Sequence, residues 1–485
     1  MDQATSHFRV DRHPSESYED ILIRDTRQIP DHLRQGPTRD LGDEGVPVTN
    51  YFDPDYFAKE VHHVWLKVWQ WACRDEDIPN AGDVFVYENV GKSVIVARQK
   101  DGSVKAFYNS CLHRGRKLVD GAGTKIDFRC KYHGMAWGCD GKFKHNPIGW
   151  DFPQFERQDM SLPELKVDSW GGFVFVNFDP DAAPLMDTLA PLAEHFDRYD
   201  FANRYKVAHV SKVVPCNWKV MAEAFMESHH TVATHPQLAP FLGDVNSQYD
   251  ILSDYVTRQF TATGVISPML ADRKMSDLDI LKAMEAAGGS HVSGGQSSKD
   301  GIAKKGASAR ENPDAPTTLE EGVTARMYAC EVTRKALGAE DGWDYSDVSD
   351  AEIIDALLYN VFPHMNFWAG YAPNVVYRWR PNGLDPETSI MDVIILKRVP
   401  KEGPRPKPVT EHRLSLDEEW SSSPMLGALG PVFEQDMANL PHVQTGLHAS
   451  GTGVVQFALY SEMRIRLMHK LISEMIARGE AATAG

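Results

Sequence analysis

The spacing of apolar positions changes several times along the chain. From Tyr51 onward, Phe57, Val61, Val64, Trp65 and Val68 recur at helical intervals and predict an amphipathic helix ended by residues 79–82, with Trp65, Trp69 and Trp71 as core. Short alternating runs follow at 84–87, 93–97 and 104–108, with Asp101-Gly102 as the hairpin turn between the last two and Asp140-Gly141 as another. Together they predict a small antiparallel β domain over 45–165. The run 170–178 reads as a buried strand opening a second domain, 166–485, followed by a helix over 186–196. Strands return at 375–379 and 390–396. Leu459, Met463, Leu467, Leu471 and Met475, at steps of four, mark a terminal helix over 459–477. The fold class is α+β. Residues 1–44 are charged and carry Pro14, Pro30 and Pro37, with a short helix at 17–23; they read as an arm packed on the main body. Residues 288–318, rich in Gly, Ser, Lys and Ala and without periodicity, read as a mobile surface insertion.

Composition narrows the classes. The 485 residues allow two or three domains, and 42% hydrophobic content supports sizeable cores. The net charge of −17 disfavours a nucleic-acid partner. No apolar run approaches the roughly twenty residues that span a membrane, and the polar N-terminus has no signal-peptide core. A soluble, cytoplasmic protein is expected. Six scattered cysteines suit reduced intracellular thiols.

Two of those cysteines carry chemistry. The chain reads Cys111-x-His113, then sixteen residues, then Cys130-x-x-His133. Each loop offers one thiolate and one imidazole, so one iron can take both sulfurs and the other both nitrogens. A structural zinc site would more commonly pair like ligands. Gly115 and Gly134 permit tight turns after each histidine. The segment resembles the Rieske domain of aromatic ring-hydroxylating oxygenase large (α) subunits. Arg114 and Lys131 neighbour the ligands, and the extra disulfide-forming cysteines of respiratory Rieske proteins are absent. Met135 replaces the family's usual Trp, a change expected to alter packing and not ligation. Cys139 reads as a small packed or surface residue.

A second constellation lies in residues 217–236, helix-like up to Pro236. His230 and His235 are five apart, which is 140° on a regular α-helix, so they share a face only at a widened turn or a helix end. By itself that spacing is weak. The segment also resembles the family's mononuclear iron motif, with Asn217-Trp218-Lys219, Glu223, Glu227, His230 and His235 in register. Ala224 stands where many members have Asn, and His229 where many have Tyr, which makes His229 a rival ligand. The third ligand expected for a facial triad on Fe(II) is Asp436, on the apolar helix face of Val432, Phe433 and Leu440, with Glu434 turned to solvent. Gln444-Thr445-Gly446-Leu447 resembles the stretch that follows the family's Asp ligand. Phe225, Met226, Val232 and Leu238 are candidate pocket walls.

The resemblance implies an N-terminal antiparallel Rieske [2Fe-2S] domain followed by a helix-grip (START-like) catalytic domain. It implies a terminal oxygenase component that uses O₂ to hydroxylate an apolar aromatic or polycyclic substrate, with dihydroxylation favoured. Monooxygenation or demethylation is the alternative. Electrons from NAD(P)H would come through a separate ferredoxin or reductase, since no nucleotide-binding fingerprint is present. Family members carry at the position of Glu227 an acid that bridges to a Rieske histidine of the neighbouring subunit, which implies a ring-shaped oligomer, most often a trimer. A small β subunit is a possible further partner. An electron carrier without oxygenase activity and a zinc-stabilised binding module are the competing classes.

Overall fold

Alternating and fully apolar runs between residues 70 and 177 build one antiparallel sheet. The computed structural model describes residues 13–287, 316–371 and 374–484. Seven strands lie in the order Gln70–Arg74, Phe173–Asn177, Glu164–Trp170, Val104–Tyr108, Lys92–Arg98, Asp83–Asn89 and Gly123–Thr124. A three-stranded sheet, Asp127–Arg129, Ala136–Gly138 and Phe143–His145, stands beside it. The two Cys/His loops project from these strands around a core of Ile95, Phe107, Phe128, Met135 and Trp137.

The run 170–178 differs from expectation. Gly171 (φ 58°) and Gly172 (φ 77°) take left-handed backbone and turn it into a hairpin. Trp170 thus pairs with Phe173, and both strands join the first sheet instead of opening the second domain. The helix expected from Tyr51 also changes. Tyr51 ends a 3₁₀ turn, the helix spans Pro54–Glu60, and a π turn follows at Val61–Trp65. Strand Gln70–Arg74 comes next, before residues 79–82. All five of its residues are buried, so no alternation betrays it. The helix expected over 186–196 is two, Leu185–Leu189 and Leu192–Phe196. The terminal helix runs Met463–Ala484, leaving Leu459 outside it and exposed.

The second sheet has eight strands in the order Leu242–Ile251, Val256–Thr263, Ala356–Val361, Met365–Trp368, Asn374–Asn382, Asp385–Arg398, Arg204–Val214 and His412–Leu414. All neighbours are antiparallel except the last pair. Because side chains alternate along a strand, Tyr377 and Trp379 face one core while Val376 faces the other. The first core holds helices Trp218–Glu223, Leu429–Met437, Leu440–His448 and Met463–Ala484. The second holds Trp71, Phe173 and Phe175 of the first sheet and the preceding Trp69, with Tyr18, Ile21, Leu22 and Leu33 of the N-terminal arm. The two sheets are joined there by side-chain-to-backbone bonds: Trp71 N–H donates to Nε2 of His364, in the turn between two strands (3.1 Å), and Arg378 Nη1 donates to the Trp71 carbonyl (2.8 Å). The insertion expected at 288–318 lies outside the described residues apart from 316–318.

Candidate metal centres

The first candidate centre is built by two loops that close in the same way. Cys111 N–H donates to the Arg116 carbonyl and Gly115 N–H to the Cys111 carbonyl, both at 2.9 Å. Cys130 N–H donates to the Met135 carbonyl (2.8 Å) and Gly134 N–H to the Cys130 carbonyl (2.9 Å). Gly115 and Gly134 have φ of 73° and 80°, which a side chain would strain. Both thiols are buried, and His113 and His133 are more exposed, with ring centroids 4.7 Å apart. Burial pushes the Cys111 thiol up. At Cys130 burial acts the same way, but the amides of Tyr132 and His133, the neighbouring Cys111 and the Arg116 charge outweigh it and lower the thiol. Met135 is buried in the loop core, and Cys139 Sγ donates to the Lys125 carbonyl (3.4 Å).

The second centre begins at a broken helix. The expected continuous helix stops at Glu223 and resumes only as Thr231–Thr234. Asn217 caps the first piece by accepting from Lys219 N–H (2.9 Å), and its amide donates to the carbonyls of Tyr51 (2.9 Å) and Pro386 (2.7 Å). Lys219 pairs with Glu60 at 2.6 Å, both fully buried, and Trp218 donates to the same carboxylate (3.2 Å). The Asn-Trp-Lys run is therefore an anchor, one element removed from the chemistry.

His230 and His235 flank the four-residue helix as its end residues, which brings positions five apart to ring centroids 5.2 Å apart. His230 Nδ1 is hydrogen-bonded to Glu227, whose carboxylate also accepts from the His230 backbone N–H (3.1 Å). His235 Nδ1 donates to Gln435 Oε1 (2.8 Å), and Gln435 is held by a two-way amide pair with Gln237 at 2.7 and 3.2 Å. Both Nε2 atoms then face Asp436 Oδ1, at 3.8 Å from His230 and 3.0 Å from His235. With both Nδ1 atoms donating outward, two imidazole lone pairs and a buried carboxylate oxygen aim at one point. A divalent cation satisfies that donor set.

Among the described residues, His230–His235–Asp436 and His209–Asp392–Glu411 are the sets whose ligand atoms lie within 4.8 Å of one another. At the first centre Cys111 and Cys130 neighbour each other and the His113 and His133 rings stand together, a pairing of like ligands that suits two irons. His229 stays outside the second: its Nδ1 lies 2.9 Å from Glu227 and its side chain is 43% exposed. Burial works against an ionised Glu227, but hydrogen bonds from His229 and His230 outweigh it and hold the carboxyl down at about 2. Glu434, expected in solvent, accepts instead from the Ser421 N–H (3.0 Å).

Four aromatic rings line the helix-side core near Asp436. Phe225 lies 4.8 Å from Tyr377 and stacks on Trp379 at 5.7 Å; Phe433 meets Tyr377 at 6.0 Å. Burial and the Asp436 charge push the Tyr377 phenol up, so it stays neutral. Of the other proposed walls, Met226 is buried in the same core, Val232 is half-buried, and Leu238 packs into a separate cluster with Phe241 and Leu281. Nothing in the sequence pattern marks Gln435 as the group holding His235; its one signal is a polar side chain directly before a buried acid.

A family model described as the ring hydroxylating alpha subunit (catalytic domain) matches residues 196–478. The chain belongs to this family. A second model, the Rieske [2Fe-2S] domain, matches residues 68–156 and contains both Cys/His loops of this alpha subunit. The chain is 30% identical over 194 residues to the carnitine monooxygenase oxygenase subunit of Escherichia coli (strain K12), a match covering 39% of this chain and 52% of that protein. It is 33% identical over 192 residues to the large oxygenase component of the naphthalene 1,2-dioxygenase system of Pseudomonas putida, covering 38% and 42%. Thus the chain spans about half the length of the curated relatives it matches. Among solved structures, a quaternary ammonium Rieske monooxygenase in its apo form superposes with a TM-score of 0.59 at 16% identity, covering 90% of this chain and 96% of that one. Naphthalene 1,2-dioxygenase with indole bound gives 0.59 at 19%, covering 90% and 93%. The chain thus has an N-terminal Rieske domain followed by a catalytic domain of mixed helices and antiparallel sheet. Among the described residues no helix is long and apolar enough to cross a membrane.

Proposed function

We propose that this chain is the terminal oxygenase component of a multi-component Rieske oxygenase. Cys111, His113, Cys130 and His133 hold the [2Fe-2S] cluster, and His230, His235 and Asp436 hold Fe(II). The observation that carries this reading is the meeting of two outward-anchored imidazoles and one buried carboxylate oxygen at a single point. When bound, the cluster relays single electrons and the ferrous iron offers open positions for O₂. The protein's own work is positional. Glu227 and Gln435 fix which nitrogen of each histidine faces inward. Phe225, Tyr377, Trp379 and Phe433 provide an apolar wall beside Asp436 that excludes water and seats an apolar face. Reducing equivalents arrive from NAD(P)H through a ferredoxin or reductase. The working form is a trimeric ring in which Glu227 also faces a neighbour's cluster histidine.

The same aromatic wall supports an aromatic or polycyclic substrate, oxygenated to a dihydrodiol. It equally accommodates a quaternary ammonium group against ring faces, and a carnitine monooxygenase is among the relatives. Monooxygenation or demethylation is therefore the second reading. Holoenzyme supplied with NADH, reductase and ferredoxin is offered naphthalene and carnitine in parallel. A dihydrodiol from naphthalene carries the first reading; turnover of carnitine alone replaces it with the second. NADH oxidation with neither product overturns both.

A further inference from the structure

Arg378 and Arg380 point away from the aromatic wall, because alternate residues of one strand face opposite ways. They reach a second cavity of about 640 Å³ between the two sheets, also lined by Trp71, Tyr87, His209 and Ile390. That volume is within the range of small-molecule sites, which favour domain junctions.

At the buried end of that cavity the charges do not balance, whereas toward its rim Lys92 and Lys117 stand with Asp77, Glu88 and Asp120. Asp392 lies between the two guanidiniums, 2.9 Å from Arg378 Nε and 3.6 Å from Arg380 Nε. Glu411 has its own cation, Arg413, at 3.1 Å, and also accepts from Ser211. At the buried end two guanidiniums thus share the single carboxylate of Asp392. Arg380 donates through Nη1 to the Glu88 carbonyl (3.2 Å), while its Nε has no protein acceptor. Its side chain is only 9% exposed. His209 approaches Asp392 Oδ1 through Nε2 (3.3 Å), and its buried Nδ1 has no partner either. His209, Asp392 and Glu411 lie close enough together to hold a cation. Two arginines already engaged with Asp392 make that site electropositive, so an anion fits better. Trp71, Tyr87 and Ile390 add apolar surface beside it.

We propose that this junction is a second binding site, separate from the metal centres, for a small organic carboxylate. Its charged end sits on Arg380 and its apolar body lies against Trp71, Tyr87 and Ile390. Such a ligand touches both sheets and clamps one to the other.

The test is calorimetric titration of the iron-loaded full chain with benzoate, inorganic phosphate and benzyl alcohol. Benzoate is expected to bind with a Kd of about 1 mM or below. Phosphate lacks the apolar body and benzyl alcohol lacks the charge; each is expected to bind at least about tenfold more weakly. Arg380→Gln should weaken benzoate at least about tenfold. Ile390→Trp fills the cavity without removing a charge and should abolish binding by a separate route, so the proposal stands or falls even where Arg380→Gln fails to fold. His230→Ala, at the other site, should leave benzoate binding intact. The proposal is overturned if wild type takes up no benzoate, if phosphate binds as tightly, or if Ile390→Trp binds benzoate as wild type does. Loss of benzoate in His230→Ala would place it at the mononuclear centre and equally overturn the proposal.

Discussion

Gln435 decides which nitrogen of His235 faces Asp436, as Glu227 does for His230. Removing such a partner costs about 10- to 100-fold in metal affinity in known sites. Gln435→Leu is therefore expected to weaken Fe(II) binding at the mononuclear centre by about that factor, leaving the cluster spectrum unchanged. Gln435→Glu keeps an acceptor for Nδ1 and should restore affinity. A metal titration monitored separately from the cluster absorbance reads both; unchanged affinity in the leucine variant would remove the role given to Gln435. The meeting of His230, His235 and Asp436 was legible in the sequence, the first two from spacing and motif and the third because an acid on an apolar face calls for a partner. Gln435 was not, since an amide that serves a single ring 200 positions away leaves no period.

At the scale of elements, the helix Trp218–Glu223 is fixed by a buried ion pair more than by its own length. Lys219 and Glu60 are both fully buried and 2.6 Å apart. Breaking such a pair from one side strands a charge and costs about 3–5 kcal/mol. Lys219→Ala should lower unfolding stability by about that amount, and the double change Glu60→Gln with Lys219→Met should lose less. Urea denaturation separates the cases; equal loss in both would mean that packing, not the stranded charge, dominates. Elements were read well where glycine turns bound a short run, as in strands Asp83–Asn89, Lys92–Arg98 and Val104–Tyr108, set off by Gly82, Gly91 and Gly102. They were misread where every residue is buried, as at Gln70–Arg74, or where two glycines reverse the chain inside an apolar run, as at Gly171-Gly172.

Across the whole molecule, the junction between the sheets rests on neutral histidines. Burial holds His364 down at about 3, where it accepts the Trp71 N–H between the sheets. Burial likewise depresses His32 to about 3 and His195 to about 4. These groups titrate near 6.5 in the unfolded chain. Between that value and the folded ones the unfolded state binds more protons. Their contribution is therefore present above pH 6.5 and lost as pH falls toward 4 and 3. For a fully buried group such as His364 the slope is about 1.4 kcal/mol per pH unit. Asp25, pushed up to about 6 by burial against the opposing pull of Arg326, acts in the reverse sense. The urea midpoint should fall between pH 7 and pH 5, and His195→Gln should flatten the fall. A midpoint that rises over that interval would contradict the assignment. The two-domain order was visible from the change of period along the chain, whereas the hairpin that closes the first sheet was hidden in the run read as opening the second.

One chain is proposed to hold two different iron sites. Iron and acid-labile sulfide are to be counted per chain in anaerobically purified protein, wild type beside His230→Ala. Wild type is expected to carry about three irons and two sulfides, and the variant about two irons with the cluster spectrum intact. About two irons in both would contradict the mononuclear centre, and zinc without sulfide would contradict both sites.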